Sequence, residues 1–340
     1  MDARLKTRVV SGDSAVREAA DVLRAGGLAA VPTETVYGLA ANAFDAVACS
    51  RIFSAKGRPS DNPLIVHVAD IEQTALVWRT VPGYAKRLME VFWPGPLSIV
   101  LPKSSRVPDI VSGGLDTVAV RMPDSALTRS IIRASGAPIA APSANRSGRP
   151  SPTEAEHVLE DMDGRIPLIV DAGPCVVGVE STVVDLTQGE AVILRPGAVS
   201  EDEIAAVTGS VRRLEGAKDA RPASPGMKYT HYAPRARVVV EGPGSGPIAK
   251  NIRTLYHTHE EKGGHPTVLC LEEDLGRYTD LDVRSLGRGR KDAEHVLFRE
   301  LRTADERGRD LVLIHASHAM GSAVLDRIGR AAGHGSDVSG

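Results

Sequence analysis

Short apolar runs recur along this chain, and most lie beside a stretch whose apolar residues fall at helical spacing. LAAVP at 28–32 follows DSAVREAADVLRA at 13–25, where Val16, Ala19, Ala20 and Leu23 share one face and Gly26 and Gly27 stop the helix. The same pattern predicts a helix over 45–55, a strand in LIVHV (64–68), a helix over 83–92 and a strand in SIVL (98–101). TVAVRM (117–122) and PIAAP (138–142) flank a helix near 125–134, and PLIVDAG and STVVDLT add further strands. Buried strands alternating with amphipathic helices restrict the fold to the α/β class, with a first domain ending near residue 208.

Residues 209–234 (GSVRRLEGAKDARPASPGMKYTHYAP) lose that periodicity and read as a linker or an ordered loop. The dense set Gly226, Met227, Lys228, Tyr229, His231 and Tyr232 favours a loop folding over a ligand, because a tether has no need of two tyrosines and a histidine. A second pattern follows: strands at 236–240, 267–271 and 310–316, helices at 247–261, 291–307 and 321–331. It predicts a small, doubly wound, Rossmann-like unit. For 340 residues two domains are the natural number. The expected division is 1–208, a linker and lid at 209–234, a second domain at 235–332, and a frayed tail at 333–340.

Charge is balanced, with 41 Lys+Arg against 43 Asp+Glu and a net charge of -2. Nothing global drives the chain toward nucleic acid or an anionic membrane. Cys49, Cys175 and Cys270 are far apart and form no CxxC pair, so neither a disulfide framework nor a zinc site is expected, and a reducing cytoplasm fits. The first residues, MDARLKTRVV, lack the apolar segment of a signal peptide. No apolar run approaches the about 20 residues that span a bilayer.

Three segments carry chemistry. PTETVYGLAANAF (32–44) follows a strand and places Thr33, Glu34, Thr35 and Tyr37 where open α/β sheets bind ligands; the alternative is a turn capped by Thr and Glu. SAKGRPSDNPLIVHV (54–68) separates Lys56 from Arg58 by one glycine, ahead of Pro59, Asn62 and Pro63. A compact ammonium beside a guanidinium fork on a stiff loop suits polyphosphate, although a bare KxR is often only a solvated pair. His67 lies within a strand and carries little by itself. PIAAPSANRSGRPSPT (138–153) leads from a strand into small hydroxylated residues, Ser143, Asn145, Ser147 and Ser151, which let backbone N–H groups approach an anion. APSAN is not a GxSxG elbow, so Ser143 reads as a phosphate contact rather than a nucleophile. Thr117 and Arg121 are four apart on one strand and share a face. An arginine within VAVRM needs a specific partner. Ser181 opens a strand, and Arg195 sits in ILRPGAVS.

Other motifs fail. There is no GxxxxGK[ST] and no HExxH, and EGPGSGP (241–247) is not GxGxxG. His257 and His259 are two apart on a predicted helix and cannot share a face.

Eight motifs in one order, PTETVYGL, KGRPSDNPLIVHV, WPGPLSIVL, VAVRMPDS, APSANRSG, STVVDLT, LRPGAVS and SPGMKYTHYAP, closely resemble the Sua5/YrdC family from about residue 11 to 234. The remainder resembles the C-terminal domain of the long, Sua5-type members in pattern more than in motif. The resemblance implies a YrdC-like open mixed sheet with helices, followed by the smaller Rossmann-like domain. It implies L-threonylcarbamoyladenylate synthase activity: L-threonine, bicarbonate (or CO2) and ATP give threonylcarbamoyl-AMP, pyrophosphate and water. The product would pass to a tRNA threonylcarbamoyltransferase acting on adenosine 37. By family position Lys56, Arg58, Ser143 and Asn145 form the catalytic centre. Thr35, His67, Arg121, Ala141 and Ser181 would contact threonine. Arg58, Asn62, Thr117, Ser143, Ser151, Arg195 and Tyr232 would contact ATP.

In that chemistry threonine's amine captures bicarbonate as an N-carboxylate, which attacks the α-phosphate. Both partners are anions, so the site must supply positive charge and alignment. Mg2+ is expected to arrive with the ATP phosphates, since the motifs hold too few carboxylates to cage it. Two other functions compete. One is an RNA-binding or ribosome-maturation module, with direct tRNA binding expected to be weak at best. The other is a YrdC-like protein using carbamoyl phosphate, which would carry zinc-finger or kinase-like modules not visible here.

Overall fold

A computed structural model describes residues 5–214, 232–244 and 246–333. The described residues divide into two compact units, one of 5–147, 152–176 and 180–214, the other of 148–151, 177–179, 232–244 and 246–333. Most of the expected linker, and with it the lid, lies outside the described residues, as does the tail from residue 334.

The first unit is built on a mixed sheet. In chain order its strands are β1 Arg8–Val10, β2 Ala29–Val31, β3 Gly38–Asn42, β4 Ile65–His67, β5 Leu97–Pro102, β6 Thr117–Arg121, β7 Ile139–Ala140, β8 Leu168–Val170, β9 Thr182–Asp185, β10 Ala191–Arg195 and β11 Val211–Arg213. Their spatial order is β1-β8-β2-β3-β7-β4-β6-β5-β9-β10-β11. β3 was not predicted. Gly-Leu-Ala-Ala-Asn has no β-branched residue, and it becomes a strand through antiparallel pairing with β2 and β7. Residues 32–37 therefore join two antiparallel strands. They do not lead from a strand into a helix, as the α/β pattern implied.

Alternation along the strands sorts side chains onto two faces. Val66, Val118, Val120, Ile99, Val184 and Ile193 point to one face and pack with Ile52 and Phe53 of the helix Ala46–Lys56 and with Leu88 and Met89 of the helix Gly83–Phe92. On the opposite face the helices Ala15–Arg24 and Ala126–Ser135 cover the β1-to-β7 half, through Ala19, Leu23, Ile131 and Ile132. Each such buried valine, leucine, isoleucine, phenylalanine or methionine stabilises the fold by roughly 1.5–3 kcal/mol. The β4-to-β10 half of that face is different. Ile65, Val100, Ala119, Val183, Val192 and Leu194 form a small cluster there, to which no helix contributes among the described residues.

Helix ends follow local chemistry. Ser125 caps Ala126–Ser135 by accepting from the Thr128 N–H, and Ser200 with Glu203 forms a capping box on Glu201–Thr208.

The second unit carries a parallel sheet of β12 Arg237–Glu241, β13 Pro266–Cys270, β14 Val283–Ser285 and β15 Leu311–His315, in the order β12-β15-β13-β14. Ile252 and Tyr256 of the helix Ile248–Glu260 cover the face bearing Val268, Cys270, Leu311 and Leu313. No helix among the described residues is long and apolar enough to cross a membrane.

Candidate active site

Lys56 is the last residue of its helix, and Gly57 follows at φ 63, a left-handed turn that glycine adopts without a Cβ penalty. A cation there faces the negative end of the helix dipole. The Lys56 carbonyl accepts from the Ser147 N–H at 2.9 Å. Its Nζ donates to the carbonyls of Ser143 and, at 2.6 Å, Asn145, with Asn145 Oδ1 3.4 Å away. Ser143 Oγ donates to the same Oδ1 at 2.6 Å. Two segments nearly ninety residues apart thus close on one ammonium. Burial, then the Arg58 charge, push Lys56 well below the usual lysine range, while Asp161 and Glu180 pull it back up.

Arg58 donates to the carbonyls of Asn62 at 3.3 Å and Pro63 at 3.1 Å. Asn62 is fully buried, and neither atom of its amide has a hydrogen-bond partner among the described residues. A native protein rarely leaves such a group unmatched without a use for it.

A second group gathers at the end of β6. Arg121 donates from Nε to the Gly95 carbonyl at 3.0 Å and from one terminal nitrogen to Thr35 Oγ1 at 2.8 Å. Its other terminal nitrogen lies 2.5 Å from Glu34 Oε1. β4 runs parallel to β6 with His67 opposite Arg121. The His67 ring approaches the Ile65 carbonyl through Nδ1 at 3.2 Å. Burial first, then the Arg121 charge, hold the imidazole down at about 3, so it is neutral at physiological pH. A neutral ring that donates from Nδ1 presents Nε2 as an acceptor.

Ser181 precedes β9, its Oγ 2.8 Å from Ser98 Oγ. Arg195 donates to the Ser181 carbonyl at 2.9 Å and to its Oγ at 3.2 Å. A register shift between Ile193 and Arg195 places Arg195 opposite Val183. Without that bulge, alternation would send Arg195 to the helix-covered face with Ile193. Gly197 sits tight against this corner: a Cβ there would lie 2.3 Å from the Thr182 nitrogen and 2.5 Å from the Glu180 carbonyl oxygen.

The structure therefore brings His67, Arg121, Ser181 and Arg195 to the face of β4, β6, β9 and β10 that bears the helix-free apolar cluster, with Thr35 hydrogen-bonded to Arg121. Thr117 shares that face at the far end of β6, about 13 Å from Arg121 at about 3.3 Å per residue. Ala141 donates its N–H to the Ile65 carbonyl at 2.9 Å. Ser151 and Tyr232 fall in the second unit. There Tyr232 is buried at φ 69, its ring 5.3 Å from that of Phe298 and the Arg327 guanidinium 5.2 Å from its centroid. Sequence reasoning placed Glu34 near a ligand edge without a role and missed Gly197. Their partners are distant in sequence, so no local signal marked them.

A family model described as "Telomere recombination", covering Sua5, YciO and YrdC, matches residues 21–197. The chain belongs to the Sua5/YciO/YrdC family. A second model, described as "Threonylcarbamoyl-AMP synthase, C-terminal domain", matches residues 199–333. The threonylcarbamoyl-AMP synthase of Pyrococcus abyssi is 46% identical over 325 residues, 94% of each chain. That of Bacillus subtilis is 46% identical over 332 residues, 95% of this chain and 94% of the other. The crystal structure of P. abyssi Sua5 complexed with L-threonine superposes with a TM-score of 0.89 at 45% identity, covering 96% of this chain and 98% of that one. Escherichia coli YciO, at 21% identity and a TM-score of 0.52 over 58% of this chain, shares the fold alone. The matches agree with the mixed sheet followed by a smaller α/β unit.

Proposed function

We propose that this chain is a threonylcarbamoyl-AMP synthase, joining L-threonine, bicarbonate and ATP into threonylcarbamoyl-AMP with release of pyrophosphate and water. What carries the assignment is the set of buried basic side chains, Lys56, Arg121 and Arg195, placed among hydroxyls in the unit whose sheet keeps the β4-to-β10 half of one face apolar and free of helices among the described residues. Near-full-length similarity to synthases of that name supports it.

Threonine's amine adds to the carbon of bicarbonate, losing protons and water to give an N-carboxylate. A carbamate oxygen then attacks the α-phosphate, and the bond to pyrophosphate breaks. Two anions must be brought into contact, which fixed cations and alignment make possible. Arg121 and Thr35 are assigned to the threonine carboxylate, with Ala141 and Ser181 beside them. Neutral His67 offers Nε2 as an acceptor for the hydroxyl or the amine. Lys56, held by the Ser143 and Asn145 carbonyls, is placed at the bicarbonate and phosphates. Arg58, Asn62, Thr117, Ser143 and Arg195 are assigned to the nucleotide. Ser151 and Tyr232 enter only by family position.

No group of three or more His, Cys, Asp or Glu among the described residues could hold a metal ion. A magnesium ion carried on the ATP phosphates would neutralise charge on the leaving group. The product is a mixed anhydride open to hydrolysis, so a separate transferase must take the threonylcarbamoyl group on to its tRNA adenosine.

The test is pyrophosphate release from ATP by the full chain, with threonine or bicarbonate withheld in turn. Release should require both and should be lost in Lys56→Met with the circular dichroism spectrum intact. Equal release without threonine would overturn the assignment.

A further inference from the structure

The hydrogen-bond inventory around Arg121 leaves an imbalance. Its guanidinium has five N–H donors. One goes to the Gly95 carbonyl and one to Thr35 Oγ1. Glu34 Oε1 is only 2.5 Å from the remaining terminal nitrogen, yet neither atom has an aligned hydrogen-bond partner among the described residues. The carboxylate sits off the N–H directions, so the contact is an ion pair that leaves those protons pointing elsewhere. Both side chains are buried, Arg121 3% and Glu34 7% exposed. Unmatched buried N–H groups on a fixed, planar fork are the complement of a carboxylate arriving from a ligand. The other Glu34 oxygen accepts from the Asp124 N–H at 3.0 Å, which ties the carboxylate to the backbone just beyond β6.

We propose that Glu34 is a positioning residue for amino-acid recognition: it holds the Arg121 guanidinium in place by charge while leaving its terminal N–H groups for the carboxylate of threonine. The assignment rests on the function proposed above. Glutamine cannot substitute, because it carries no charge to hold the guanidinium, and one of its two terminal atoms is an NH2 group. Its NH2 would meet either Arg121 or the Asp124 N–H, donor against donor.

Calorimetric titration of the full chain with L-threonine, and separately with a non-hydrolysable ATP analogue, tests this in wild type, Glu34→Gln and Glu34→Asp. Glu34→Gln should bind threonine at least about tenfold more weakly, while the affinity for the analogue changes less than about threefold. Glu34→Asp keeps the charge at shorter reach and should recover part of the loss. Unchanged threonine affinity in both variants would overturn the proposal. So would a parallel loss of both ligands and of melting temperature, the mark of a merely structural carboxylate. Failure of the wild type to bind threonine would instead defeat the function and take this inference with it.

Discussion

Acidification should destabilise this protein through His67, in a window set by the surroundings of that side chain. The imidazole is 5% exposed, and burial together with the adjacent Arg121 holds it at about 3, against an ordinary value of 6.5. Once the pH falls below 6.5 the unfolded chain binds a proton that the folded chain refuses. The folded value is lowered, so the stability concerned is fully present above pH 6.5 and is lost as pH falls toward about 3. The slope is about 1.4 kcal/mol per pH unit, and across the window the loss reaches about 4–5 kcal/mol. That is a large share of the roughly 5–15 kcal/mol by which domains are stable. Urea unfolding followed by circular dichroism between about pH 7 and 4.5, in wild type and His67→Gln, isolates the effect. Carboxylates titrate in both proteins and cancel. The wild-type slope should exceed the variant's by one proton. Parallel lines across that range would show that His67 titrates normally and that the pocket around Arg121 is wetter than the structure shows.

Two further outcomes follow from packing. Gly197→Ala puts a Cβ 2.3 Å from the Thr182 nitrogen, so backbone must move; a loss of about 1–3 kcal/mol in stability and a rise in the KM for threonine are expected. Unchanged melting and kinetics would refute the close approach. Asn62→Leu replaces a fully buried amide that has no partner among the described residues with an apolar side chain of similar size. An unsatisfied amide costs about 1–3 kcal/mol, so the melting temperature should hold or rise while ATP affinity falls. A melting temperature several degrees lower would show that the amide is matched in the folded protein.

How far the sequence could be read depended on the range of the interaction concerned. The helix Gly83–Phe92 matched its expected limits because Ala85, Leu88 and Met89 repeat at the period of the buried face. The helix Ala46–Lys56 ran within a residue of its expected limits, since its stop is a local left-handed glycine. β3 was not legible: its small residues become a strand only between two partners. Glu34 was legible as a carboxylate at a loop but not as the partner of Arg121.

The sequence by itself determined the α/β class; the division near residue 208, and the reading of Lys56-Gly57-Arg58 and Ser143-Ala144-Asn145 as anion-facing segments, came from it as expectations. Periodicity, capping and turn chemistry are properties of neighbouring residues, and they survive without knowledge of the rest of the chain. Tertiary structure alone decided which half of that sheet face lacks helices among the described residues, and it decided that a one-residue bulge in β10 turns Arg195 onto it. It also set Glu34 beside Arg121 off the hydrogen-bond axis. Register and ion-pair geometry depend on strands far apart in the chain, where a shift of one residue reverses the direction of a side chain.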